Sequence, residues 1–302
     1  MSKSKPYLRH AAALTGSLLL LPANTHANVT FNLIPEAGTP QFAIDGFTMA
    51  AHRWSAVLAD NITVNVQIGF ASLGSSIIGQ AGSDFGEYSY PDILTALGSH
   101  RTSTADYSAY AALQPGASYN RIINHTSNNP HGGNSATPYL SSMNRVGLTT
   151  ANAKALGLLS PTSTPDAFIR FNSDFGFDFD PGNGISAGQF DFIGAATHEL
   201  GHALGFVSGV DDLDQLGGNY PDSGFSSDLL DLFRYSTASL AFGAGVSDYT
   251  ADNRAKFFSW TAGRLNSRCS PMASFMAMAG RRATGKIPSA LASWTRRHSR
   301  AN

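Results

Sequence analysis

The chain has 302 residues, 42% apolar and 14% charged, with one cysteine, Cys269. That length suits one large domain or two small ones with a full core. The composition excludes disorder and a coiled coil, and a lone cysteine excludes an internal disulfide framework or a cysteine-rich metal cluster.

The formal net charge of −1 conceals two compositions. Residues 28–252 hold seven Lys or Arg and all twenty-one Asp and Glu, a net −14, whereas residues 253–302 hold ten Lys or Arg and no acid. Residues 1–27 read as a secretory signal peptide, with Lys3, Lys5 and Arg9 before an apolar run at 11–21 and a Thr25-His26-Ala27 cleavage site. The apolar run is too short to span a bilayer. The mature chain is therefore expected to lack a transmembrane segment and to be secreted, whether periplasmic or extracellular.

Residues 28–35 alternate as a short strand. Residues 42–58 place Phe42, Phe47, Met49, Ala50, Trp54 and Leu58 at roughly helical spacing. Strict alternation over 62–70 predicts a half-buried strand, and 91–97 and 106–113 read as short helices. The stretch 116–138 is loop-rich, and 167–171 is a further strand. Asp174, Asp178, Asp180 and Asn183 surround a Pro-Gly turn; without a bidentate acid to close a calcium loop, they read as a capped turn. The Phe-rich stretch 171–192 reads as core. No linker interrupts 28–258, which is expected to form one α+β domain.

Residues 197–205 read Thr-His-Glu-Leu-Gly-His-Ala-Leu-Gly and contain the pattern His-Glu-x-x-His. With nine His and three Glu in the chain, chance supplies this pattern about 0.003 times per sequence. On a helix, His198 and His202 stack on one face, so both imidazoles can bind one Zn2+ ion. Glu199 then stands beside the metal as general base and acid for a water attacking a peptide carbonyl. Asp191 can cap the helix start and Gly205 can end it in the left-handed conformation.

The run from His198 to Phe206 resembles the active-site helix of zincin metalloproteases, and more closely that of secreted bacterial enzymes of the metzincin and leishmanolysin type. The resemblance implies a zincin-like fold: a twisted sheet, a backing helix at 42–58, an edge strand near 167–180 and the active-site helix. It also implies a protein or peptide substrate. In the commonest metzincin pattern a third ligand stands three residues past the glycine, where this chain has Ser208, which is no zinc ligand. Asp211, Asp212 and Asp214 lie just beyond and could substitute. His52, His100, His125 and His131 read as surface or loop histidines.

Leishmanolysin-like proteins take the third His from a downstream His-Trp context, followed by a methionine turn. Codons permitted by residues 280–302, read one register over, allow QASHWKDSLGIGVMDPTALARE, which holds both features in that order. Residues 259–302 are therefore expected to be out of frame from near Ser259–Trp260 and poorly ordered; a genuine basic tail is the alternative. That tail lacks the interleaved aromatics of a nucleic-acid platform, so no nucleic-acid partner is expected. In the block 228–235, Asp231 and Arg234 are expected to pair behind the cleft. Two functions follow: a zinc metalloendopeptidase, or a catalytically impaired binding or cell-surface protein on the same fold that lacks the third ligand.

Overall fold

The computed structural model describes residues 28–262 and two short strands at 293–294 and 297–298. The signal peptide reading and most of the tail reading lie outside the described residues.

The chain opens with β1 (Thr30–Pro35), α1 (Gln41–Ser55), β2 (Thr63–Ala71) and β3 (Gly79–Ser89). Next come α2 (Tyr90–Ser99), α3 (Thr104–Ala112), β4 (Tyr119–Ile123), β5 (Tyr139–Met143), β6 (Arg145–Thr149), α4 (Thr150–Ala155) and β7 (Ala167–Asn172). The paired dipeptides β8 (Phe177–Asp178) and β9 (Phe190–Asp191) lead into α5 (Phe192–Ala203) and α6 (Val210–Leu216). Then follow β10 (Ser227–Asp228), β11 (Arg234–Tyr235), α7 (Thr237–Phe242), β12 (Ser247–Asp248), β13 (Phe257–Phe258), β14 (Ser293–Trp294) and β15 (Arg297–His298). This is an α+β arrangement of helices on a mixed sheet. Among the described residues no helix is long and apolar enough to cross a membrane.

In the sheet β1, β2 and β7 run parallel, in registers such as Thr30↔Thr63 and Val66↔Ala167. The long strand β3 runs antiparallel to β7 through Gly79–Ser83 and antiparallel to β6 through Phe85–Ser89. The backbone groups of Ile78, Asp84 and Tyr90 bond to Asn172, Asp166 and Asn144 respectively. Residues an even number apart turn to the same side of a strand, so β7 and β6 follow one another along one edge of β3. Its other edge carries β14 and β15 in parallel register. β7 is therefore an interior strand, flanked by β2 and β3, and not the edge strand expected near 167–180. The chemistry explains the interior position: Ala167, Ile169 and Phe171 are buried.

Helices α1 and α5 pack together on this sheet. Phe192, the first residue of α5, lies within 5.2 Å of Phe47, 5.1 Å of Phe171 and 4.4 Å of Phe179 between ring centroids. Gly46 makes this approach possible, because a Cβ there would stand 2.6 Å from the Phe192 ring. Of the Phe-rich stretch, Phe171, Phe177 and Phe192 are core, Phe175 and Phe179 pack half-buried against it, and Phe190 is exposed. A second cluster gathers Tyr90, Ile93, Tyr119, Val146, Leu148 and Leu232.

Candidate metal centre

Helix α5 begins where Asp191 accepts a bond from the Gly194 N–H at 2.8 Å, satisfying one of the free donors of the first turn. Phe192, Ile193, Ala196, Leu200 and Ala203 form its buried face. It ends at Gly205, whose φ of 94° is left-handed. A second constraint also requires glycine there, since a Cβ would stand 1.9 Å from Asn152 Oδ1. The Asn152 amide in turn donates to the Leu204 carbonyl at 2.8 Å, meeting one of the last free acceptors of the helix. From the side, the Trp54 indole of α1 donates to the Thr197 carbonyl at 2.8 Å and its ring lies 5.1 Å from Phe206.

The helix so fixed presents His198 and His202 on its outer side, the first exposed and the second half-buried. Their Nε2 atoms are 3.0 Å apart. Two nitrogens each about 2.0–2.1 Å from one tetrahedral ion stand about 3.3 Å apart, so the pair fits a shared zinc with a shift of a few tenths of an ångström. His202 Nδ1 lies 2.8 Å from the Phe206 carbonyl oxygen. A carbonyl can only accept, so the proton sits on Nδ1 and Nε2 keeps its lone pair. Protein packed around part of the His198 ring lowers its pKa and favours the neutral, ligating form.

Glu199, the residue after His198, is buried. It is 7% exposed, its Oε2 has no hydrogen-bond partner, and burial raises its pKa to about 7. One turn of helix thus carries two solvent-facing bases and a buried carboxyl group that titrates near neutrality.

Among the described residues no group of three His, Cys, Asp or Glu side chains is gathered as a metal ion needs. Asp211 and Asp214 on α6 are exposed and Asp212 is half-buried; the fold does not bring them to the imidazole pair as a third donor. His52, His100 and His131 are exposed, and His125 lies in a loop with Nδ1 3.1 Å from the Asn134 carbonyl. Asp178 accepts from Asp180 N and Ser186 N, and Asp180 from Gly182 N, the self-capped turn expected of that segment.

The expected Asp231–Arg234 pair does not form. Asp231, 1% exposed, accepts from the Ser208 hydroxyl at 2.6 Å, the Gly209 N–H at 3.0 Å and the Asp228 N–H at 2.8 Å. Arg234 donates to the Asp248 carbonyl and stands 3.7 Å from the Asp248 carboxylate. The cause is local: a 3-10 turn over Leu229–Phe233 closes a capping box between Asp228 and Asp231, turning the carboxylate towards the segment that leaves α5. Trp54, Asn152 and Asp231 reach α5 or the segment leaving it from distant elements, which no local pattern signals, and the Phe206 carbonyl is a backbone group without a residue signature. No model of a known protein family matches the chain, and neither a curated protein nor a solved structure matches it significantly.

Proposed function

We propose that the chain is an exported zinc-dependent metalloendopeptidase of zincin-like fold, cleaving peptide bonds in protein or peptide substrates. The observation that carries the reading is the convergence of His198 and His202 Nε2 at 3.0 Å, beside a buried carboxyl group with an unpartnered oxygen. A buried, unsatisfied, near-neutral carboxylate is costly for folding and is expected where proton transfer is needed. A bound zinc would lower the pKa of its water to about 7 and polarise the scissile carbonyl. Glu199 accepts the proton of the attacking water and returns it to the leaving amine. His202 is held in its ligating tautomer by Phe206.

A second reading is a binding or cell-surface protein on the same fold with impaired catalysis, since Ser208 stands where the commonest metzincin pattern has its third ligand. Zinc stoichiometry and peptide hydrolysis separate the two, measured on the chain as written and on a chain whose frame is restored near Ser259. The enzyme reading expects close to one tightly held zinc per restored chain. It also expects Glu199→Gln to retain that zinc while losing at least about 100-fold in rate. Full activity in Glu199→Gln would overturn the mechanism, and no zinc in the restored chain would leave the binding protein.

A further inference from the structure

Three hydrogen bonds converge on Asp231, and two of the donors, the half-buried Ser208 hydroxyl and the buried Gly209 N–H, belong to the segment that leaves the helix of the imidazole pair. Two residues upstream in the same segment is Phe206, whose carbonyl oxygen receives the His202 Nδ1 proton. The segment between them is tightly confined. Gly205 is left-handed, the Phe206 N–H bonds the Gly201 carbonyl at 3.0 Å, and a Cβ on Gly209 would stand 2.4 Å from the Ser226 carbonyl oxygen. A short, crowded segment anchored at both ends transmits a displacement of one anchor to whatever lies between. Asp231 has a firm base of its own, because it follows β10, which is paired to β6 of the main sheet.

We propose that Asp231 is a positioning residue for the metal pair: through Ser208 and Gly209 it fixes the strand carrying the Phe206 carbonyl, and thereby the tautomer and orientation of His202. This rests on the reading of His198 and His202 as zinc ligands. It adds that the ligand's support reaches beyond its own helix to a carboxylate twenty-nine positions along the chain. Ser208 itself is committed as a donor to Asp231, which explains why a side chain just past the helix end contributes nothing to the imidazole pair.

The test uses the full chain with labelled histidine nitrogens, as wild type, Asp231→Asn and the milder Ser208→Ala. The His202 ring is assigned by its loss in His202→Gln. The metal-free protein is observed at pH 8, where the ring is neutral, and zinc affinity is then measured by competition with a chromophoric chelator. In the wild type, His202 is expected to show a single Nδ1–H tautomer. In Asp231→Asn it shows a mixture, and zinc affinity falls about 10-fold, the lower end of the loss seen when a ligand's outer support is removed. Ser208→Ala, which keeps both backbone bonds to the carboxylate, moves both readouts in the same direction by less. A folded Asp231→Asn protein with an unchanged tautomer and affinity within twofold of wild type would overturn the proposal. If Asp231→Asn does not fold, Ser208→Ala decides alone, and no change in its tautomer overturns the proposal. Failure of the wild type to bind zinc would count against the zinc reading, while the metal-free tautomer would still decide the positioning role.

Discussion

Replacing Glu199 by Gln should make the metal-free protein more stable, and only at neutral to alkaline pH. Burial raises the pKa of Glu199 from 4.5 to about 7. The difference between those two values corresponds to roughly 3 kcal/mol. The sign follows from proton binding: between pH 4.5 and 7 the folded chain holds a proton that the unfolded chain has released, so stability falls as pH rises. Above pH 7 the full penalty of the buried carboxylate is present, and near pH 5 most of it is absent. Gln keeps the shape and carries no charge. Urea unfolding in the presence of chelator should therefore show Glu199→Gln exceeding wild type by up to about 3 kcal/mol at pH 8, and by about 1 kcal/mol or less at pH 5. For a domain of this size that is roughly 5–10 °C in Tm at pH 8. Subtracting wild type from variant at each pH removes the contribution of every other titrating group. Equal differences at both pH values, or a variant less stable than wild type at pH 8, would refute the claim that the carboxylate is buried without compensation.

Gly205→Ala should destabilise the fold by about 2 kcal/mol or more, since a left-handed non-glycine residue costs about 1–2 kcal/mol and the Asn152 clash adds to it. Adding Asn152→Ala should relieve only the clash, and a neutral single variant in chemical denaturation would contradict the geometry. Lys154 and Asp166 form an ion pair at 2.7 Å with side chains 3% and 1% exposed. Lys154→Met should cost about 3–5 kcal/mol in urea unfolding because it strands the carboxylate; a loss below 1 kcal/mol would show that the bonds from Asn65 N–H and Thr150 Oγ1 already satisfy Asp166.

The helices and strands with a clear period were legible in the sequence. The pattern over 42–58 became Gln41–Ser55, that over 62–70 became Thr63–Ala71, and that over 167–171 became Ala167–Asn172. The helix that carries His198 and His202 was legible to its ends, because Asp191 and Gly205 act locally. Strand β3 was not legible, since Gly79-Gln80-Ala81-Gly82 has no alternation and gains its conformation from β7 and β6. Strands β4 and β5 bound a loop-rich stretch and were likewise set by pairing. The support of the imidazole pair was beyond reach for a related reason. Trp54 meets Thr197 across 143 positions and Asn152 meets Leu204 across 52, and no local pattern encodes such contacts. The Asp231–Arg234 expectation failed because proximity along the chain was taken for proximity of charge, whereas a tight turn sends the two side chains to different partners.

The division of α5 into an outer imidazole side and an inner carboxyl side also governs when an ion would enter. The Phe192 cluster, the Trp54 bond and the Asn152 cap hold the helix through contacts that involve neither histidine. The scaffold is thus complete before any ion arrives, unlike small domains that assemble around their metal. Under the zinc reading proposed above, a chain built this way folds empty and takes its ion afterwards, so that metal supply decides how much of it is loaded.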